Sequence, residues 1–429
     1  MARRRAANEG SSFKRNSDGC WAGTISLGRD PIRGKRFARS GSHFGGVIGM
    51  RWLQRSSLCL WVFVSGNCLE AAEPVDVWLQ NRQAVVRIAL AGGGITEFRL
   101  ADSTVNPLNW TIRGLEPIEE GEPFLQGHFL CLDRWGPPSE AEVERGVPFH
   151  GEAPRARWKL TRAVNPSDTN PFAEMHCRLD IAGLTVHRRV VLDRQSSVVL
   201  VRESVTNDRK LGRIYNMVQH PSIAPPFLDA TTMVDSNASH GFLQEAAVPG
   251  TVAEATRWPH MKINDRLIDL RQLLPAKNEV TDHDVSSFVF DDKSGRGWVT
   301  AVHPGSELLL GYVWETKDYP WLNIWRFRRE GKVMARGLEF GTTGLHQPFQ
   351  ALVAQGRIFD RPLLTFIDAG RRVTREYLMF LATVPADYAG VARLEVSKGG
   401  LTLFERKPGG RRQHVAMGLP LTPPARERD

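Results

Sequence analysis

The chain has 429 residues, 41% hydrophobic and 24% charged, which is enough apolar material for one large domain or two ordinary ones and too much for a disordered chain. Its net charge of +9 suggests nucleic acid, but ten Lys/Arg and three Asp/Glu fall within residues 1–49, so +7 sits there and +2 is left for the rest. The body is nearly neutral, and no nucleic-acid partner is expected.

Residues 1–49 read as a basic extension, either disordered or foreign to the mature protein. From Met50 the stretch "MRWLQRSSLCLWVFVSGNCLEAAEP" places Arg51 and Arg55 before the apolar run Leu58 to Val64 and ends in Ala71 and Ala72. A basic start, a short apolar run and a small-residue exit are the order of a secretory signal peptide, assigned to residues 50–72. It predicts a secreted or periplasmic protein whose folded domain covers 73–429. The run is far shorter than the roughly 20 apolar residues a spanning helix needs, so no stable membrane span is expected. The alternative is a basic arm on a cytosolic protein. Ser65-Gly66-Asn67-Cys68 resembles a lipoprotein cleavage site, with Asn67 breaking the pattern. Export leaves Cys131 and Cys177. A disulfide and two buried thiols both remain open for them. No Cys/His cluster has zinc spacing and no glycine-rich phosphate loop occurs, so neither a metal nor a cofactor is expected.

From Val75 onward the pattern is strands and turns. "AVVRIAL" and "ITEFRLA" flank Gly92-Gly93-Gly94, and "HCRLDIAGLTVHRRVVLD" alternates on both sides of Ala182-Gly183; each predicts a hairpin. "SSVVLVRESVTN", "GRGWVTAVHP", "ELLLGYVWE", "WLNIWRFRREGKVMARGLEF", "YLMFLATV" and "VARLEVSKGGLTLFE" continue the series, rich in β-branched and aromatic residues with Gly, Pro, Asn and Asp between them. "INDRLIDLRQLL" is the best helical candidate. No repeat of 20–50 residues and no low-complexity linker divides the body, which predicts an all-β fold with one large sandwich of antiparallel sheets.

Three stretches carry candidate chemistry. In "GVPFHGEAPRARWKL", Gly151 allows a sharp turn that exposes His150. In "GRIYNMVQHPSIAPPFLD", Asn216, Val218 and His220 share a strand face, and Pro221 is expected to end the strand with His220 at the sheet rim. In "ARGLEFGTTGLHQPF", Leu338 and Phe340 take the core face, while Gly337, Glu339 and Gly341 take the other. Glycines on both sides leave space around the Glu339 carboxylate and are expected to present it on an open concave surface. Taken singly, Glu339 is equally compatible with a purely structural place, and for His150 and His220 a structural place is the better reading. Several of the 12 Trp lie in loops or at strand ends, Trp135, Trp258, Trp314, Trp321 and Trp325 among them. An indole can stack on the C–H face of a sugar ring, although most Trp fill cores.

In order and spacing, "AGGGITEFRLA", "FHGEAPRARWKL", "YNMVQHPSIAPPFLD", "WLNIW" and "GLEFGTT" resemble the aldose 1-epimerase, or galactose mutarotase-like, superfamily over most of residues 75–370. That resemblance implies a large antiparallel β-supersandwich that binds a small sugar. It implies Glu339 as base, His220 as acid, and His150 positioning the ring oxygen or sharing the acid role. The chemistry asks for these types: anomers interconvert when the anomeric hydroxyl loses its proton while the ring oxygen gains one. Arg134 and Trp135 in "LDRWGPPS", with Trp321 and Asp318, are the candidate substrate-binding residues. The family's aspartate could equally be Asp284, Asp291 or Asp318. The Asn-Arg element of well-studied mutarotases is missing, and Gln219 replaces the usual Asn before His220, which makes the chain a divergent member. Two other readings stand beside the isomerase: a non-catalytic carbohydrate-binding protein, and a carbohydrate-cleaving enzyme on the same scaffold.

Overall fold

Strands with one apolar face must bury it, and here two large sheets do so against each other. The computed structural model describes residues 75–114, 124–165, 169–277, 281–291 and 295–419; residues 1–72, where a basic extension and a signal peptide are expected, lie outside the described residues. Among these, the first sheet has eleven strands. Its centre runs Ile95–Leu100, His128–Asp133, Arg213–Ile223, Lys332–Gly341, Trp321–Arg329, Asp282–Phe290. The second sheet has eight, with Leu308–Glu315, Arg372–Thr383, Val198–Asn207 and Leu184–Leu192 in its middle. Every pairing between these strands is antiparallel. This is the large all-β sandwich of antiparallel sheets expected from the strand pattern.

Leu130, Leu132, Leu322, Ile324, Leu338 and Phe340 of the first sheet share one core with Val186, Val190, Val201, Leu310 and Met379 of the second. Phe340 stacks on Trp314 across the interface at 4.2 Å, and burying such a ring stabilises by about 1.5–3 kcal/mol. A smaller three-stranded sheet, Val391–Ser397, Gly400–Glu405 and Arg412–Ala416, joins a second cluster on the outer side of the eight-stranded sheet. The two predicted hairpins form, pairing Ala84–Ala89 with Ile95–Leu100 and Phe172–Leu179 with Leu184–Leu192.

The helical candidate does not form. Residues 263–269 of it belong to a small hairpin, His260–Ile263 with Arg266–Asp269, turning at Asn264 (φ 48°) and Asp265 (φ 61°). Asn and Asp tolerate that left-handed conformation better than most residues, and the two-residue turn takes precedence over a weak helical period. The strand bearing His220 also continues past Pro221 to Ile223. Pro221 has no N–H to give, and the ladder to Lys332–Gly341 shows paired residues on either side of it but not at it. Cys131 and Cys177 are both free and buried.

Candidate active site

The outer face of the eleven-stranded sheet collects the acid and the imidazoles. Glu339 lies on Lys332–Gly341, whose register with Arg213–Ile223 runs Gly337 opposite Ser222 and Phe340 opposite Gln219. Glu339 is therefore directly across from His220. The His220 Nε2 lies 3.1 Å from the Glu339 Oε1. The other carboxyl oxygen accepts a 2.7 Å hydrogen bond from the Trp135 indole N–H. Gly337 makes this possible, because a Cβ there would stand 2.6 Å from the Glu339 Oε1. The glycine leaves the space that the sequence suggests, but side chains fill it: Glu339 is 1% exposed, not presented on an open surface.

His150 reaches the same place from a loop. It has φ 63°, and Gly151 has φ 78°. Gly151 forms a bridge to Leu132, and any Cβ on it would collide with the Leu132 carbonyl oxygen. The loop is thus pressed onto the strand His128–Asp133, and His150 is buried at 5%, not exposed as its Gly neighbour suggested. Its Nδ1 accepts the Gly136 N–H at 3.2 Å, which leaves the proton of the neutral ring on Nε2. The rings of His150 and His220 are 5.5 Å apart. His220 stacks on Phe129 at 4.2 Å, and its Nδ1 lies 3.0 Å from the Ser222 Oγ.

A third imidazole, His346, lies 5.7 Å from His150 and edge-on to Trp135 at 4.6 Å. Sequence reasoning missed it, although it stands in the same stretch as Glu339; a loop histidine carries no periodic signal. Phe149 packs on both His150 and His346. Trp325, 6.0 Å from His220, and Trp110, against Phe129 and Trp325, complete an aromatic cover.

The other predicted residues divide. Trp135 is in the cluster. Arg134 is beside it but engaged, held by Asp133 and Glu142 with its guanidinium 4.3 Å from the Phe349 ring. Trp321 is fully buried, donates to the Pro362 carbonyl, and packs beneath Gly344, where a Cβ would strike its ring. It supports a loop instead of offering a stacking face. Asp318 belongs to the connection between the sheets, with Arg375 and Lys317 as its cationic neighbours. Asp284 takes both its oxygens to Arg326, on the strand face opposite Trp325. The structure brings neither Asp284 nor Asp318 to Glu339.

Burial dominates the electrostatics. It pushes the Glu339 carboxyl well above the usual carboxylate range, with the Trp135 hydrogen bond opposing. It pushes His220 from 6.5 down to about 3, with His346 adding to the effect, and holds His150 well below its ordinary value, helped by His220 and His346. For the touching pair, the direction that follows is one shared proton and no net charge.

The fold has counterparts among solved structures. A galactose mutarotase related enzyme from Lactobacillus acidophilus is similar with a TM-score of 0.51 and 13% identity, over 72% of this chain and 98% of that one. A galactose mutarotase-like protein from Clostridium acetobutylicum is similar with 0.51 and 11%, over 72% and 95%. A proposed aldose 1-epimerase from Klebsiella pneumoniae gives 0.51 and 13%, over 71% and 77%. The chain has the galactose mutarotase-like fold. No family model and no curated protein matches the sequence. Among the described residues no helix is long and apolar enough to cross a membrane.

Proposed function

We propose that the protein is a divergent mutarotase-like isomerase that binds a small sugar and interconverts its anomers. The observation that carries this reading is the 3.1 Å contact between the Glu339 carboxyl and the His220 imidazole, with a third group, the His150 Nε2–H, one ring away. The pair holds one proton. With that proton on His220, the Glu339 carboxylate takes the anomeric hydroxyl proton while the His220 Nε2–H protonates the ring oxygen. The C1–O5 bond breaks, the open-chain aldehyde rotates about C1–C2, and the reverse transfers close the ring on the other face. The step exchanges the ion-pair form for the neutral form of the same pair, so no charge is added to a buried site. Ser222 keeps the Nδ1 of His220 protonated throughout, and the His150 Nε2–H orients the ring oxygen.

A sugar reaches Glu339 only when the cover of Phe149, Trp110 and Trp325 parts. That closure also favours a second reading, a carbohydrate-binding protein without catalysis. Polarimetry and exchange NMR on freshly dissolved sugars separate the two, with Glu339→Gln as control. Accelerated exchange that survives the substitution removes Glu339 from the role of base, and binding without acceleration supports the second reading. The segment from Met50 supports export to the periplasm or medium; N-terminal sequencing of the mature chain checks it, with a start near residue 73 expected.

A further inference from the structure

His346 takes no part in the proton transfers above, yet its backbone is tied to the strands that carry them. Its backbone N–H donates to the Gln244 Oε1 at 2.9 Å. Gln244 Nε2 in turn donates to the Ser287 Oγ at 2.6 Å and to the Gly344 carbonyl at 2.7 Å, and the Ser287 hydroxyl donates to the Asn323 Oδ1 at 2.7 Å. Asn323 sits directly across from Glu339 in the sheet. Three polar side chains thus tie the histidine to the strand pair that carries the base. The ring itself lies over Gly136, where a Cβ would come within 2.8 Å of it, and stands edge-on to Trp135, the residue that holds Glu339.

A group that meets a ligand is best carried on a rigid scaffold, and this backbone tether supplies one. Among the described residues neither ring nitrogen of His346 makes a hydrogen bond. The residue is partly exposed, whereas His150 and His220 are each 5% exposed. In its neutral form the ring offers one donor and one acceptor. A sugar hydroxyl can accept from the ring N–H or donate to the bare ring nitrogen, and so suits either one.

We infer that His346 is a specificity-determining residue that binds a sugar hydroxyl at the mouth of the site and sets affinity, leaving the rate of proton transfer to Glu339 and His220. The inference rests on the sugar reading above. His346→Phe keeps a ring of similar shape over Gly136 and against Trp135 but removes both nitrogens; His346→Gln restores a donor and an acceptor. In exchange kinetics, His346→Phe raises KM by about tenfold or more while kcat stays within about twofold, and His346→Gln recovers part of the loss. An unchanged KM in a folded His346→Phe protein overturns the inference, as does a kcat that falls as far as in Glu339→Gln. In case neither variant folds, the wild-type protein is labelled with 15N-histidine and titrated with whichever sugar of the panel exchanges or binds. The His346 ring resonances move on saturation; if they do not, the inference fails by itself. If no sugar of the panel exchanges or binds, the sugar reading fails and this inference falls with it.

Discussion

Gln219 and His220 are neighbours on one strand and point into two different buried polar clusters. Inside the sandwich, Gln219 donates to the Glu203 carboxylate, and Glu203 meets the Arg188 guanidinium at 2.6 Å with both side chains essentially inaccessible. Arg188 also stands 4.4 Å from the Trp158 ring, and the Tyr319 hydroxyl accepts from Gln219 at 3.2 Å. Every charge there has an opposite charge. Outside, no Lys or Arg among the described residues pairs with Glu339, which meets a neutral indole N–H and the His220 imidazole. A buried ion pair with its remaining valences filled is a scaffold element. A buried acid without a Lys or Arg partner, whose ionisation is opposed, is a candidate place for chemistry or binding.

The largest difference between the clusters should appear in activity. Glu339→Gln is isosteric and is expected to slow anomer exchange by about 10²–10⁴-fold with no drop in thermal midpoint, measured by exchange NMR and calorimetry on the same sample. A variant that unfolds instead would make the outer acid structural and erase the contrast. The inner cluster should respond in stability: Arg188→Met strands Glu203 without its partner and is expected to cost about 3–5 kcal/mol in urea titration. Wild-type stability in that variant would mean that the ion pair is dispensable.

The response to pH sharpens the comparison further. The His220 value is lowered on folding, from 6.5 to about 3, so its contribution to stability is intact above 6.5 and is lost as pH falls toward 3. Glu339 is raised on folding, so its contribution is intact in acid and is lost as pH rises through its folded value. Urea midpoints across pH should therefore decline less steeply between 6.5 and about 3 for His220→Gln, and less steeply as pH rises above 4.5 for Glu339→Gln. Should neither variant flatten its limb, the outer cluster does not titrate on folding. The smallest effect is expected for Trp135→Phe. It removes the one hydrogen bond that favours the Glu339 carboxylate, worth about 1 kcal/mol, and should move the basic-group limb of the pH–rate profile upward.

Much of this was legible before folding is considered. Period-2 runs punctuated by glycine announce strands, and "GLEFG" places Leu338 and Phe340 on the core face with Glu339 on the other, as found. What failed were statements about surroundings. Gly151 was read as exposing His150, yet its missing Cβ lets the loop press onto Leu132 and bury the ring. Pro221 was read as a strand end, yet a strand can continue past a proline where one ladder bond is absent. Trp321 looked like a sugar platform and is packing under Gly344. His346 gave no signal, because its place is set by Gln244 about a hundred residues earlier in the chain.

The sequence alone determined which residues alternate, where turns fall, and which side chains can carry a proton, because these follow from local sterics and side-chain chemistry. Tertiary structure alone decided that Glu339 touches His220, that Trp135 rather than an arginine holds the acid, and that no Lys or Arg among the described residues pairs with it. Those facts depend on the register between strands far apart in the chain and on how much water the packed side chains exclude. Neither quantity is written in any short stretch of residues.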